Sequence, residues 1–124
     1  MLSYVNLFLY NWALTIGLET LIFVIIARAW FKVRAHEISL IRLVLGGIFA
    51  SSITIPWVWF VFPYVITGSY YLSLTCAELF AFLAETVFYW VAFKFSWKRS
   101  FTISFICNLA SFVTGLALFA VAHI

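Results

Sequence analysis

The sequence predicts an all-α membrane protein, four transmembrane helices in a compact bundle, forming a single domain over residues 1–124. Three observations carry this reading. Hydrophobic residues make up 67% of the chain and charged residues 9%, against about 25% charged in soluble domains. That is too little polar surface to cover a globule in water. The apolar runs number four and are continuous, each near the ~20 residues a helix needs to cross a bilayer. Strands of a membrane barrel would alternate apolar and polar positions instead. Finally, the seven basic residues, Arg28, Lys32, Arg34, Arg42, Lys94, Lys98 and Arg99, all lie in or beside the first and third loops.

The first span is expected over Tyr4–Ala29. A basic loop with Lys32, Arg34, His36 and Glu37 follows. The second span is expected over Ile38–Phe62, ending at Pro63. Pro56 lies inside it, removes one backbone hydrogen bond and should kink the helix, freeing the carbonyl near Ser52. The second loop, Tyr64–Tyr70, carries no charge and turns at Gly68-Ser69. The third span is expected over Tyr71–Phe93, the connection over Lys94–Ser100, and the fourth span over Phe101–Ala122. By the positive-inside rule, loops one and three face the cytoplasm and both termini face outward. Trp30 and Trp97 flank the basic end. Trp57, Trp59, Tyr64, Tyr70 and Tyr71 gather at the other, as an aromatic belt should.

Several function classes find no footing. The net charge of +3 comes from basic residues at helix ends, so no nucleic-acid partner is expected. The opening Met-Leu-Ser-Tyr lacks the basic residues of a signal peptide. Cys76 and Cys107 fall at different depths, so a disulfide between them is not expected. His36 and His123 lie at membrane edges, where neither can hold a buried haem. No cofactor and no metal are expected, because no His/Cys/Asp cluster has ligand spacing. With no Ser-His, Cys-His or paired Asp arrangement inside the spans, the chain does not read as an enzyme.

What stands out is a polar layer. Glu19 lies nine residues before Arg28, and Glu85 nine before Lys94. Ser51 lies nine after Arg42, and Asn108 nine after Arg99. At 1.5 Å per residue, each is roughly 13 Å from the basic boundary, near the middle of the hydrocarbon. Neighbours match as well. Glu19-Thr20 parallels Glu85-Thr86, and Ser51-x-x-Thr54 parallels Asn108-x-x-Ser111. The pattern reads as a duplicated helical hairpin with a pseudo-two-fold along the membrane normal.

Each polar residue extends into a stripe that should face the interior. The first span offers Asn11, Thr15 and Glu19, and the second Gly47, Ser51 and Thr54. The third offers Thr75, Glu78, Glu85 and Tyr89, and the fourth Ser104, Asn108, Ser111 and Gly115. Gly47-x-x-x-Ser51 and Ser111-x-x-x-Gly115 are small-residue pairs that let helices approach closely.

No basic side chain shares the depth of the two acids. A buried carboxyl without a cation is disfavoured as a charge. Facing each other, Glu19 and Glu85 are expected to share a proton and titrate as one unit. Asn108, Ser51, Thr54 and Ser111 can hydrogen-bond either state. Glu78, two turns further out, would be an approach step. Glu19 is similar to the embedded acid in the first span of small multidrug transporters, a resemblance of chemistry that the remaining sequence does not extend. The Gly-rich opening and Asn-Gly signature of fluoride channels are absent, as is the intraspan Lys of retinal proteins. The expected function is a proton- or cation-coupled transporter or channel-like protein, with Glu19, Glu85, Asn108, Glu78, Ser51, Thr54 and Ser111 as the substrate- or ion-binding set. The alternative is a non-catalytic subunit of a larger membrane complex. Four short helices enclose little volume, so besides the lipid bilayer a second copy or other membrane subunits are expected as partners.

Overall fold

The computed structural model describes residues 3–122, so the position of His123 lies outside the described residues. Four helices long and apolar enough to cross a membrane pack together, and no strand forms among the described residues. Helix α1 spans Tyr4–Trp30, α2 Leu40–Val65, α3 Tyr70–Phe93 and α4 Trp97–Ala122. The chain is a multi-pass integral membrane protein.

Each helix begins on a serine. Ser3, Ser39, Ser69 and Ser96 accept, through Oγ, the backbone N–H of Asn6, Arg42, Leu72 and Arg99 respectively. A hydroxyl at this position satisfies one of the N–H groups that a helix start leaves unpaired. The cap at Ser96 corrects the expected start of the fourth span. The helix begins at Trp97, so the seven-residue connection shrinks to Lys94-Phe95-Ser96. Lys94 turns the chain with a left-handed φ of 56°, and Lys32 does the same in the first loop with φ 55°.

Helix α2 also runs past its expected end. Pro56 closes the regular α-helix, and the next turn widens into a π-turn over Trp57–Val61. The helix resumes over Phe62–Val65, with Pro63 in its first turn. A proline tolerated in this way widens the helix instead of ending it. Helix α1 has its own π-turn at Ile26–Trp30.

The helices form a ring in chain order: α1 packs on α2, α2 on α3, α3 on α4, and α4 on α1. Short loops join antiparallel neighbours, as in an up-down bundle. Both basic loops stand at one end. A cavity of about 340 Å³ is lined by Val33, Glu37 and Ile38 from the first loop, by Lys94 and Phe95 from the third and by Arg99 in the first turn of α4. Arg99 lies over the Phe31 ring at 5.1 Å. Arg28 donates to the carbonyls of Val33 (2.7 Å) and Ile38 (2.9 Å) and staples the first loop to its helix.

Packing is tight in the half near these loops. Phe23, Tyr89, Phe93 and Phe95 interlock, with centroids 4.7 Å apart for Phe23–Tyr89 and 5.4 Å for both Phe23–Phe93 and Phe93–Phe95. Leu43, Ala50, Ile103 and Cys107 are fully buried around them. In the other half, among the described residues, none of α1 before Glu19 is buried, and none of α4 between Leu109 and Ala117. The exposed Leu, Ile, Val and Phe side chains outside the bundle are what a lipid-facing surface requires.

Two glycines set helix spacing. A Cβ on Gly47 would stand 2.9 Å from Thr20 Oγ1 and 3.0 Å from Thr20 Cα, and one on Gly46 would collide with the Phe93 ring. Gly115, the small residue expected to bring α4 close to a neighbour, has nothing within 4 Å of such a Cβ. That expectation is corrected, because α4 is loosely packed beyond Ser111. Thr75 is likewise exposed rather than interior.

Candidate functional site

The four residues counted to one depth do meet in the bundle. Glu19, on α1, sits between α2 and α4. Its Oε2 accepts the Ser51 hydroxyl at 2.7 Å, and its Oε1 accepts the Ser111 hydroxyl at 2.7 Å. Both carboxyl oxygens are therefore held by short bonds, and three helices are tied at one point. In a membrane such bonds and close packing drive helix association, since lipid is as apolar as leucine.

Glu85, on α3, is held less well. Its Oε2 accepts the Thr54 hydroxyl at 3.4 Å. That hydroxyl has one proton and also faces the carbonyls of Ser51 (3.2 Å) and Ala50 (3.5 Å). The bond to Glu85 is thus long and shared. Glu85 Oε1 has no partner among the described residues, although the residue is 1% exposed. An unmet polar atom in such surroundings costs about 1–3 kcal/mol, and more if charged. Glu85 lies close to the Glu19 carboxyl and to Asn108.

Asn108 divides its attention. Its Nδ2 donates to the Ser104 carbonyl at 2.8 Å and to Ser104 Oγ at 3.3 Å. Ser104 in turn donates to the Phe82 carbonyl at 2.6 Å, which also receives Thr86 at 2.8 Å, so α4 is fastened to α3. Cys107, which reads in the sequence as an apolar filler, points its thiol at the Glu19 carbonyl 3.6 Å away. Its place next to Asn108 was the only signal for this. Both cysteines are free.

The hydrogen bonds respect the two hairpins. Glu19 takes Ser51 from its own hairpin and Ser111 from the other. Glu85 faces Asn108 from its own and takes Thr54 from the other. Exchange of the hairpins maps Glu19 onto Glu85, Ser51 onto Asn108 and Thr54 onto Ser111. The serine caps, Ser39 and Ser96, follow the same exchange.

Glu78 stands apart. It is half-buried, and among the described residues no group of three or more His, Cys, Asp or Glu gathers as a metal would need. Further out, Asn11 accepts from Trp59 Nε1 at 3.2 Å and from Thr15 at 3.5 Å. Trp12 Nε1 donates to Ser52 Oγ at 3.2 Å, and the Tyr4 hydroxyl to the Trp59 carbonyl at 2.6 Å, inside the π-turn. Thus the sequence stripe of Asn11 and Thr15 serves to hold α1 against the widened end of α2. Depth counting could not show these tryptophan partners, because indole N–H groups read as belt residues.

The cavity between the basic loops does not open on the acids. Besides the one between the basic loops, a cavity of about 350 Å³ lies between α1 and α2, lined by Ile16, Gly17, Thr20, Leu21, Val44 and their neighbours. Neither is lined by Glu19, Glu85 or Asn108. Compared with known proteins, the chain matches no family model, no curated protein and no solved structure.

Proposed function

We propose that the protein is a small proton-coupled transporter or channel-like protein, in which the Glu19–Glu85 pair exchanges a proton or a cation across the bundle's midplane. The observation that carries this is the unequal satisfaction of two buried carboxyls. Glu19 is anchored by two 2.7 Å bonds, while Glu85 keeps one oxygen without a partner among the described residues. A group built only to glue helices would gain by meeting both oxygens. An oxygen free of partners is the readier place for a proton to be taken and released. Asn108, Ser51, Thr54 and Ser111 steady the pair, and Glu78 is the approach from the loosely packed half.

The basic loops at one end of the bundle support placing that end in the cytoplasm, with both termini outside. The small volume within four helices supports a working unit of two copies or a complex with other membrane subunits. The reading is tested by proton or cation flux into vesicles carrying the purified protein. Replacing Glu19 or Glu85 by Gln should lower the flux, and full activity in both variants would exclude the carboxyls as the mechanism.

One observation favours a second reading, a non-catalytic membrane subunit held by its helix contacts. The acids are closed in by protein, with neither cavity reaching them. A partner that always co-purifies in gentle detergent, with no flux from the isolated chain, is the result that reading expects.

A further inference from the structure

We propose that the cavity between the two basic loops binds a phospholipid headgroup that carries both a phosphate and a primary ammonium, as phosphoethanolamine does. None of its lining residues belongs to the carboxyl pair, so the site stands or falls apart from proton exchange.

The cavity, of about 340 Å³, has an apolar floor and a charged rim. Val33, Ile38 and Phe95 are buried and Phe93 is half-buried, while Glu37, Lys94, Ser96 and Arg99 are exposed. That combination matches a headgroup joined to an apolar body. The walls are held without a ligand. Arg28 spends its guanidinium on the carbonyls of Val33 (2.7 Å) and Ile38 (2.9 Å). The N–H groups of Glu37 and Ile38 both donate to the Arg34 carbonyl at 3.0 Å, which fixes the turn that carries Glu37. A site formed in advance loses less freedom when it binds.

The charges on the rim are of both signs. Arg99 lies over the Phe31 ring at 5.1 Å, an arrangement that steadies the guanidinium and leaves its N–H groups for a phosphate. Lys94 supplies a second cation. It ends α3 in the left-handed region, with φ 56° and ψ 30°, where a helix most readily takes glycine. A lysine there keeps a charge on the rim at a conformational cost. Glu37 is the one acid of the chain outside the four spans. Topology calls for cations at this end, but it does not call for a carboxylate. A free phosphate would gain nothing from Glu37, whereas a primary ammonium donates to it in a charge-assisted hydrogen bond.

The level of the cavity favours a lipid over a soluble phosphoester with the same headgroup. Trp97 follows the rim residue Ser96 directly and meets Trp90 of α3 edge to face, with centroids 5.4 Å apart. Both indoles are exposed, as is Trp30 at the end of α1. Tryptophans on the outside of a membrane helix settle at headgroup depth. Basic pockets at this depth are where lipid headgroups are held. In this cavity Lys94 and Arg99 take the phosphate, Glu37 takes the ammonium, and Phe93 and Phe95 meet the apolar part.

Native mass spectrometry of the full chain in detergent, with one phospholipid added at graded concentration, tests this. A short-chain phosphatidylethanolamine should bind about threefold more tightly than the phosphatidylcholine of the same chains, whose ammonium has no N–H; that is the size of one exposed ion pair. Glu37→Gln should abolish the preference by weakening the ethanolamine lipid alone. Lys94→Gln and Arg99→Gln should each weaken both lipids by about threefold. Lys98→Gln, which removes a cation from the same end but not from the cavity, should change neither. All four side chains are exposed, and an unchanged melting temperature confirms that each variant is folded. Glycerophosphoethanolamine, the headgroup without its chains, should not displace the lipid at equal concentration. Equal binding of the two lipids by the wild-type chain, or an undiminished preference in Glu37→Gln, would overturn the proposal. So would a loss in Lys98→Gln equal to that in Lys94→Gln, because it would reduce the site to general surface charge. Displacement by glycerophosphoethanolamine would overturn the lipid as the source and give the cavity to a soluble phosphoester.

Discussion

The first hairpin holds its acid and the second leaves its acid partly unheld. Glu19 and Glu85 occupy equivalent places on equivalent helices, each with a residue from both partner helices in reach. Yet Glu19 has two bonds of 2.7 Å, and Glu85 has one of 3.4 Å with a second oxygen unmet. The difference lies in the partners. Ser51 and Ser111 each turn a hydroxyl onto Glu19. At the matching places around Glu85, Asn108 gives its amide to Ser104, and Thr54 divides one proton among three oxygens. Matching sequence positions put both carboxyls in the core, and single side chains around them make their surroundings differ.

The comparison can be broken in several ways. The largest effect is expected at Glu85 itself. Glu85→Gln removes the exchanging proton and should cut vesicle flux by about a hundredfold, at the lower end of what an acid–base group contributes. Glu19→Gln should reduce flux less, because its amide can still bond one of the two serines and the unmet oxygen of Glu85 remains. A larger loss from Glu19→Gln than from Glu85→Gln would invert the assignment.

The next effect concerns stability. Removing both Ser51 and Ser111 hydroxyls by alanine leaves Glu19 buried and bare, which should cost about 1–3 kcal/mol. Thermal unfolding in detergent reads this directly. Thr54→Val, by contrast, removes a bond that is already long and shared, and should cost less, near the ~0.6 kcal/mol average for hydrogen bonds between membrane helices. Equal losses at the two places would show that the acids are held alike.

Helix spacing around the acids gives a further contrast. Gly47→Ala forces its new Cβ against the Thr20 backbone, so overpacking of about 1–3 kcal/mol is expected. Gly17 and Gly115 face open space. Alanine there should be neutral or slightly stabilising, by up to about 1 kcal/mol from helix propensity.

Much of the fold was legible because a bilayer imposes simple rules. Run length marked four spans, and basic residues marked which loops share an end. Counting nine residues from Arg28, Arg42, Lys94 and Arg99 found Glu19, Ser51, Glu85 and Asn108, since helical rise converts sequence directly into depth. The count failed where helices are not regular or not packed. Pro56 reads as a kink, and the structure adds that the turn after it widens into a π-turn. The start of α4 lies four residues before the expected one, because Trp97, Lys98 and Arg99 look like loop and a lone Ser96 does not mark itself as a cap. Gly115 and Thr75 carried the right spacing for interior positions and yet do not face a close neighbour. Depth says nothing about rotation or about which of two equivalent acids finds its partners.

The central claim is that Glu85, not Glu19, carries the exchangeable proton. Infrared spectroscopy of the protein in lipid measures this most directly, through the carbonyl band of a protonated carboxyl and its shift in heavy water. The account predicts that the exchanging band disappears in Glu85→Gln and persists in Glu19→Gln. A band that survives Glu85→Gln unchanged and is lost in Glu19→Gln would contradict it.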